Sequence, residues 1–134
     1  LVIWSDLIKP NKKTIQLLVK MHIKEKNDFS IATIKSHNCY TKVIRKKNKI
    51  IKIEELKNKK INYNGERDVG IFLINKNVIE CLLANKKRLL NDKEYSFLKL
   101  VEVCVKKNLK VEAYKIATKQ DLMSFNSYKD IECL

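Results

Sequence analysis

The sequence predicts an α/β fold in which a buried sheet lies between layers of helix. Segments with strand patterning alternate with amphipathic helical segments along the chain. Two strand segments, LVIW (1–4) and RDVGIFLIN (67–75), are apolar throughout, as strands covered on both faces must be. A third stretch, YTKVIRKKNKIIKIEE (40–55), alternates apolar and polar residues around a Lys-Lys-Asn turn. That pattern marks an antiparallel hairpin set into the sheet.

The opening segment runs straight into Ser5 and Asp6, so it reads as a buried, central strand delivering a carboxylate to its C-terminal end. A helix is predicted over 9–27. There Ile15, Leu18, Val19 and the His22/Ile23 pair recur at helical spacing, Asn11 or Thr14 caps the start and Asn27 closes the element. FSIATIKS (29–36) alternates, which points Phe29, Ile31 and Thr33 one way. After the hairpin, LKNKKINYNGE (56–66) is polar and contains Asn64-Gly65, so it reads as an exposed loop leading to the second buried strand. KNVIECLLANKKRLL (76–90) places Val78, Ile79, Leu82 and Leu83 on one helix face. DKEYSFLKLVEVCVKKN (92–108) places Phe97, Leu98, Val101, Cys104 and Val105 on another. LKVEAYKIA (109–117) is a strand, and TKQDLMSFNSYKDIECL (118–134) a capped turn, a loop at 124–126 and a last helix. With no repeat and no linker, 1–134 reads as one domain.

Composition narrows the function classes. Hydrophobic residues make up 45% and charged residues 33%, a globular balance. No apolar run approaches the ~20 residues of a membrane span, and the start lacks signal-peptide flanks, so a cytoplasmic protein is expected. A net charge of +14 invites a nucleic-acid reading. Against it, Arg45, Arg67 and Arg88 are the only arginines, and the lysines are spread evenly among many Asn and Ile residues. Cys39, Cys81, Cys104 and Cys133 form no CxxC pair and, with only His22 and His37, no zinc-ligand spacing. Cys81 and Cys104 read as small buried hydrophobes. The only glycines, Gly65 and Gly70, cannot build a glycine-rich phosphate cradle.

The order of the pieces resembles the nucleotidyltransferases that activate sugar 1-phosphates, most of all the N-acetylglucosamine-1-phosphate uridyltransferase branch. The resemblance is carried by LVIWSD, KTIQLLVKMH, the Tyr-led hairpin with NKIIKIEE, ERDVGIFLI, EYSFLKLVEVCVKKNLKVEAYKI and FNSYKDI. It covers nearly the whole chain, but only the second half of that family's catalytic domain. It implies a partial Rossmann-like (GT-A-like) nucleotidyltransferase fold, a mixed sheet with flanking helices and an inserted β-hairpin. It also implies magnesium-dependent uridylyl transfer to a sugar 1-phosphate, in nucleotide-sugar biosynthesis for the cell envelope.

Residue by residue, Asp6 matches the family's strand-end metal aspartate and Asn126 the asparagine that supplies the other magnesium ligand; plain capping roles for both stay open. Glu55, with Glu54 beside it, falls where a glutamate holds sugar hydroxyls. Asp68 falls on a position commonly Asn. Gly70 stands where backbone approaches the ligand, although a bulge would explain it too. Thr41 stands where glycine is usual and would crowd an N-acetyl group; Leu98 and Lys99 also depart from the pattern. No catalytic side chain is assigned, because the family's glycine- and arginine-rich triphosphate loop is not in this chain. The implied reading is the C-terminal part of such an enzyme, inactive alone. Its expected partners are a sugar phosphate or nucleotide sugar, and the missing N-terminal half or a second copy at the sheet edge near 1–4. A non-catalytic sugar-nucleotide-binding remnant and a basic nucleic-acid-binding protein are the competing readings.

Overall fold

A computed structural model describes residues 1–56, 63–91 and 94–125. In chain order these form β1 (Val2–Ile3), α1 (Lys12–Glu25), β2 (Phe29–Ser36), β3 (Thr41–Lys46), β4 (Lys49–Glu55) and β5 (Gly65–Ile74). Then come α2 (Lys76–Ala84), α3 (Lys86–Leu89), β6 (Leu90–Asn91), β7 (Glu94–Tyr95), α4 (Phe97–Lys106), β8 (Val111–Tyr114) and a 3₁₀ turn, Lys119–Leu122. The main sheet has the order β1-β5-β2-β8. β5 pairs antiparallel with both β1 and β2, while β8 lies parallel to β2, so the sheet is mixed as predicted.

Two apolar clusters sandwich it. On one face Phe29, Ile31 and Phe72 pack with Val78 of α2, with Leu98, Val101 and Cys104 of α4, and with Val43, Ile50 and Ile53 of the hairpin. Phe29, Phe72 and Phe97 meet edge to face at centroid distances of 5.0–6.1 Å, the arrangement that aromatic quadrupoles favour. On the other face Leu18 of α1 packs with Ala32, Val69 and Ile71. The hairpin forms where alternation placed it, and its turn is Lys47–Asn48, both at positive φ (48° and 65°), which suits a tight two-residue turn.

Several expectations are corrected. The strand expected over LVIW is shorter and less buried: only Val2–Ile3 pair, as β1, at the end of the described sheet order, the edge expected near 1–4, with Leu1 59% and Trp4 40% exposed. β2 is buried on both faces from Phe29 to Thr33, because β5 and β8 flank it and both apolar clusters use it. The residue after α1 is Lys26 in the left-handed region, φ 51°, while the Asn27 side chain donates to Ser30 Oγ and Tyr114 Oη. On α2 the inward face is Val78, Cys81 and Leu82, leaving Ile79 and Leu83 exposed. The predicted helix at 92–108 starts only at Phe97, since Ser96 is extended (φ −79°, ψ 100°) and 94–95 pairs with 90–91. The thiols of Cys39, Cys81 and Cys104 are free, and burial with Cys81 close by pushes Cys104 up to about 12, an inert core residue. The predicted last helix lies outside the described residues, and no described helix is long and apolar enough to cross a membrane.

Candidate functional site

A cleft of about 440 Å³ opens between the first loop, the start of the hairpin, the middle of β5 and the segment after the 3₁₀ turn. Its β5 wall is irregular. Pairing with β2 jumps from Ile31↔Phe72 to Thr33↔Asp68, so residues 69–71 bulge opposite Ala32. Gly70 takes φ +73° inside this bulge, and a Cβ there would sit 2.9 Å from the Trp4 ring. The bulge reading of Gly70 therefore has a direct structural basis, and the close approach it permits is that of the Trp4 indole. Trp4 is fixed by its N–H donating to the Gly70 carbonyl at 3.0 Å. Gly70→Ala is expected to cost about 1–2 kcal/mol for the left-handed backbone. In urea unfolding followed by far-UV circular dichroism, adding Trp4→Ala should relieve the ring contact and leave that backbone cost.

Just before the bulge, Arg67 and Asp68, in regular register with Ile34 and Thr33, both line the cleft. Asp68 is buried, accepting from the Thr41 hydroxyl at 2.6 Å on one oxygen and from the Gly70 N–H at 3.1 Å on the other. Thr41 thus reaches Asp68 from the first residue of β3. The Arg67 Nε donates to the Asp68 carbonyl at 3.1 Å, and its guanidinium carbon lies 5.7 Å over the Tyr40 ring. Across the cleft, Asp6 sits in the turn after β1. Its carbonyl accepts from Phe125 N–H at 2.8 Å, and Leu7 bridges to Ser124.

Of the residues picked out from sequence, Asp6, Thr41, Asp68 and Gly70, from three distant segments, line this one cleft. Glu55 is not on its lining; it is exposed at the end of β4, opposite Thr41 in the hairpin register. Asn126 lies outside the described residues, although Phe125, its neighbour in sequence, is held on Asp6. Sequence reasoning missed Trp4, Tyr40 and Arg67. The aromatic pair was visible, but nothing in the spacing showed that β5 would bring Arg67 to Tyr40.

Among the described residues no group of three His, Cys, Asp or Glu side chains could hold a metal. Asp121, which also lines the cleft, spends its carboxylate on Asn11, Thr14 and Thr118. The Asp6 carboxylate makes no hydrogen bond or ion pair among the described residues. One such oxygen donor suits magnesium, which takes one or two protein carboxylates and fills its octahedron with phosphates and water.

No protein-family model matches the chain. In sequence it is similar to the bifunctional protein GlmU of Thermodesulfovibrio yellowstonii, 23% identical over 137 aligned positions, covering 98% of this chain and 30% of that protein. In fold it is similar to the crystal structure of the nucleoside-diphosphate-sugar pyrophosphorylase from Vibrio cholerae RC9, with a TM-score of 0.60 at 11% identity. That match covers 83% of this chain and 47% of the pyrophosphorylase. The chain therefore spans under half the length of either relative.

Proposed function

Because the chain resembles the sugar-phosphate nucleotidyltransferases in both sequence and fold, we propose that it supplies the sugar-binding side of a cytoplasmic uridylyl-transfer site and does not turn over alone. One observation carries the reading: Asp6, Thr41, Asp68 and Gly70, four of the six residues matched to the family's metal and sugar positions and far apart in sequence, line a single cleft. In the reaction a phosphate oxygen of a sugar 1-phosphate attacks the α-phosphorus of a nucleoside triphosphate. The new P–O bond forms as the α–β bridge breaks, and pyrophosphate leaves. Such chemistry asks the protein for positioning and charge neutralisation.

Each part of the cleft has a task in that scheme. Asp68 keeps a second lone pair on each oxygen after accepting from Thr41 and Gly70, enough to receive two sugar hydroxyls. The half-exposed Trp4 indole gives the sugar an apolar face. Asp6, with Asn126 close by in sequence to its partner Phe125, would hold magnesium. When bound, the metal neutralises phosphate charge. Holding the triphosphate in line is left to residues beyond these, since two glycines make no phosphate loop.

Calorimetry with N-acetylglucosamine 1-phosphate and UDP-N-acetylglucosamine in magnesium buffer tests this. Binding of at least one is expected, weakened about tenfold or more by Asp68→Ala, since a lost hydrogen bond to a charged group is worth about 1.5–3 kcal/mol. No pyrophosphate should be released from UTP by this chain alone, and release should appear when a phosphate-loop half of such a domain is added in trans. Failure of both ligands to bind would remove the sugar site; binding without turnover in the mixture would favour a binding-only role.

A further inference from the structure

We infer that Arg67 receives an anionic group of the ligand, a phosphate or a carboxylate, at the Tyr40 side of the cleft, and selects charged sugars over neutral ones. The inference rests on the cleft being a sugar site and names the kind of sugar it takes. Among the described residues Arg67 is the one basic side chain on the cleft, in a chain with 29 lysines and arginines. No described lysine is on this lining, so among the described residues one cation defines its charge.

That cation is pre-positioned. The Nε bond to the Asp68 carbonyl, with the Tyr40 ring 5.7 Å from the guanidinium carbon, holds the guanidinium at this wall. Its Nη1 and Nη2 groups make no hydrogen bond or ion pair among the described residues. Arg45 shows the contrast: Nε and Nη2 bind Glu66, Nη2 also binds the Ala113 carbonyl, and Nη1 binds the Asn48 carbonyl. Arg45 is a structural arginine with its donors spent, whereas Arg67 holds its outer fork unspent at a cavity. A planar fork of this kind matches the two oxygens of a phosphate or carboxylate, and little side-chain entropy remains to be lost on binding.

The neighbouring carboxylates do not take that fork. Arg67 reaches Asp68 through the backbone carbonyl rather than the carboxylate, whose bonded donors are Thr41 and Gly70, and Asp6 lies on a different segment of the lining. The cleft is therefore dipolar, with a cation beside an aromatic ring at one wall and carboxylates on the rest. A ligand with one anionic end and several hydroxyls complements it; a neutral sugar leaves Arg67 unmatched.

The test compares N-acetylglucosamine 1-phosphate, glucuronate and N-acetylglucosamine by calorimetry on wild type, Arg67→Lys and Arg67→Gln. Wild type should bind a charged probe about tenfold or more tightly than the neutral one, as expected for charge-assisted hydrogen bonds. Arg67→Gln should lose that advantage while its affinity for N-acetylglucosamine moves less than about twofold, and Arg67→Lys should recover only part of it. Preference for the 1-phosphate identifies an anomeric phosphate as the source, and preference for glucuronate an acid on the sugar itself. Undiminished binding of charged probes by Arg67→Gln would overturn the inference and leave the sugar site standing. If wild type binds none of the three, the sugar reading falls. An inorganic phosphate titration then decides Arg67 separately: a shifted Arg67 Nε–H resonance keeps the anion site, and an unmoved one removes it.

Discussion

Arg45→Ala is expected to lower stability by about 3 kcal/mol, the low end for breaking a buried ion pair, and to loosen the hairpin from the sheet. Glu66 on β5 is 8% exposed, and it holds Arg45 of β3 through two bonds of 2.9 and 2.6 Å. Thr33 of β2 donates to the same carboxylate at 2.7 Å, and Lys115 after β8 lies 3.4 Å away. Arg45 also reaches the Ala113 carbonyl of β8. One carboxylate therefore ties the hairpin to three strands, and Thr41 enters the cleft from that same hairpin. Removing Arg45 leaves the buried Glu66 charge with Lys115 at 3.4 Å as its remaining cation, which is where the cost arises. Adding Glu66→Gln to Arg45→Ala should recover part of the loss in urea unfolding. A loss below about 1 kcal/mol in the single variant would mean that the pair behaves like an exposed one.

Acid should expose the same link. For Glu66, burial works to raise the carboxyl above its ordinary 4.5, but the hydrogen bonds from Arg45 and Thr33 outweigh it and hold the group lower. Asp28 behaves alike: burial opposes, and Asn75, the Lys110 N–H and Asn77 hold it below 3.8. Depressed carboxylates stabilise the fold above their unfolded values and lose that contribution as pH falls through the folded ones. Burial also depresses His22 below 6.5, against the pull of Asp28, so its contribution is complete above that value and declines as it is forced to charge. Stability should fall in two steps on acidification, below about 6.5 and again below about 4.5. The gap between wild type and Arg45→Ala should narrow in the second step.

The pattern of elements was legible wherever periodicity met two faces of different polarity. The hairpin alternates cleanly, and Thr118 with Asp121 makes the capped turn expected from TKQD. Errors arose where tertiary position overrides local pattern. LVIW has the composition of a fully buried strand, yet only Val2 and Ile3 pair with β5, and Leu1 and Trp4 are exposed. Ile79 and Leu83 fit a helical face as well as Val78 and Leu82, and only the direction of the core chooses between them. The cleft was partly legible. Family motifs pointed to Asp6, Thr41, Asp68 and Gly70, but the bulge at 69–71, from which the Gly70 N–H bonds Asp68, depends on pairing with β2, which no local signal carries. The hold of Asp121 on α1 was hidden for the same reason, since Asn11 and Thr14 lie more than 100 residues away.

Asp121→Ala is the substitution expected to dismantle the cleft. Asp121 is 1% exposed, and its carboxylate accepts from Asn11 N–H at 2.7 Å, Thr14 hydroxyl at 2.8 Å, and Thr118 N–H and hydroxyl at 2.8 and 3.0 Å. It caps its own 3₁₀ turn while sitting at the N-terminus of α1, where a negative charge is favoured. The segment it anchors then runs back along the first loop: Ile8 N–H donates to Met123 O, and Phe125 N–H to Asp6 O. Alanine would leave four donors without their acceptor, two of them on the side chains of Thr14 and Thr118. Buried unsatisfied groups cost about 1–3 kcal/mol each, and with water reaching the turn a total of about 3 kcal/mol is expected. Asp121→Asn should be intermediate, since its oxygen still accepts while its NH₂ faces other donors. The decisive readout is amide exchange at Ile8 and Phe125, which should accelerate in Asp121→Ala far more than exchange in β2. Uniform acceleration across the sheet would show that Asp121 supports the fold as a whole. Selective acceleration would show that it holds the Asp6 wall of the cleft in place.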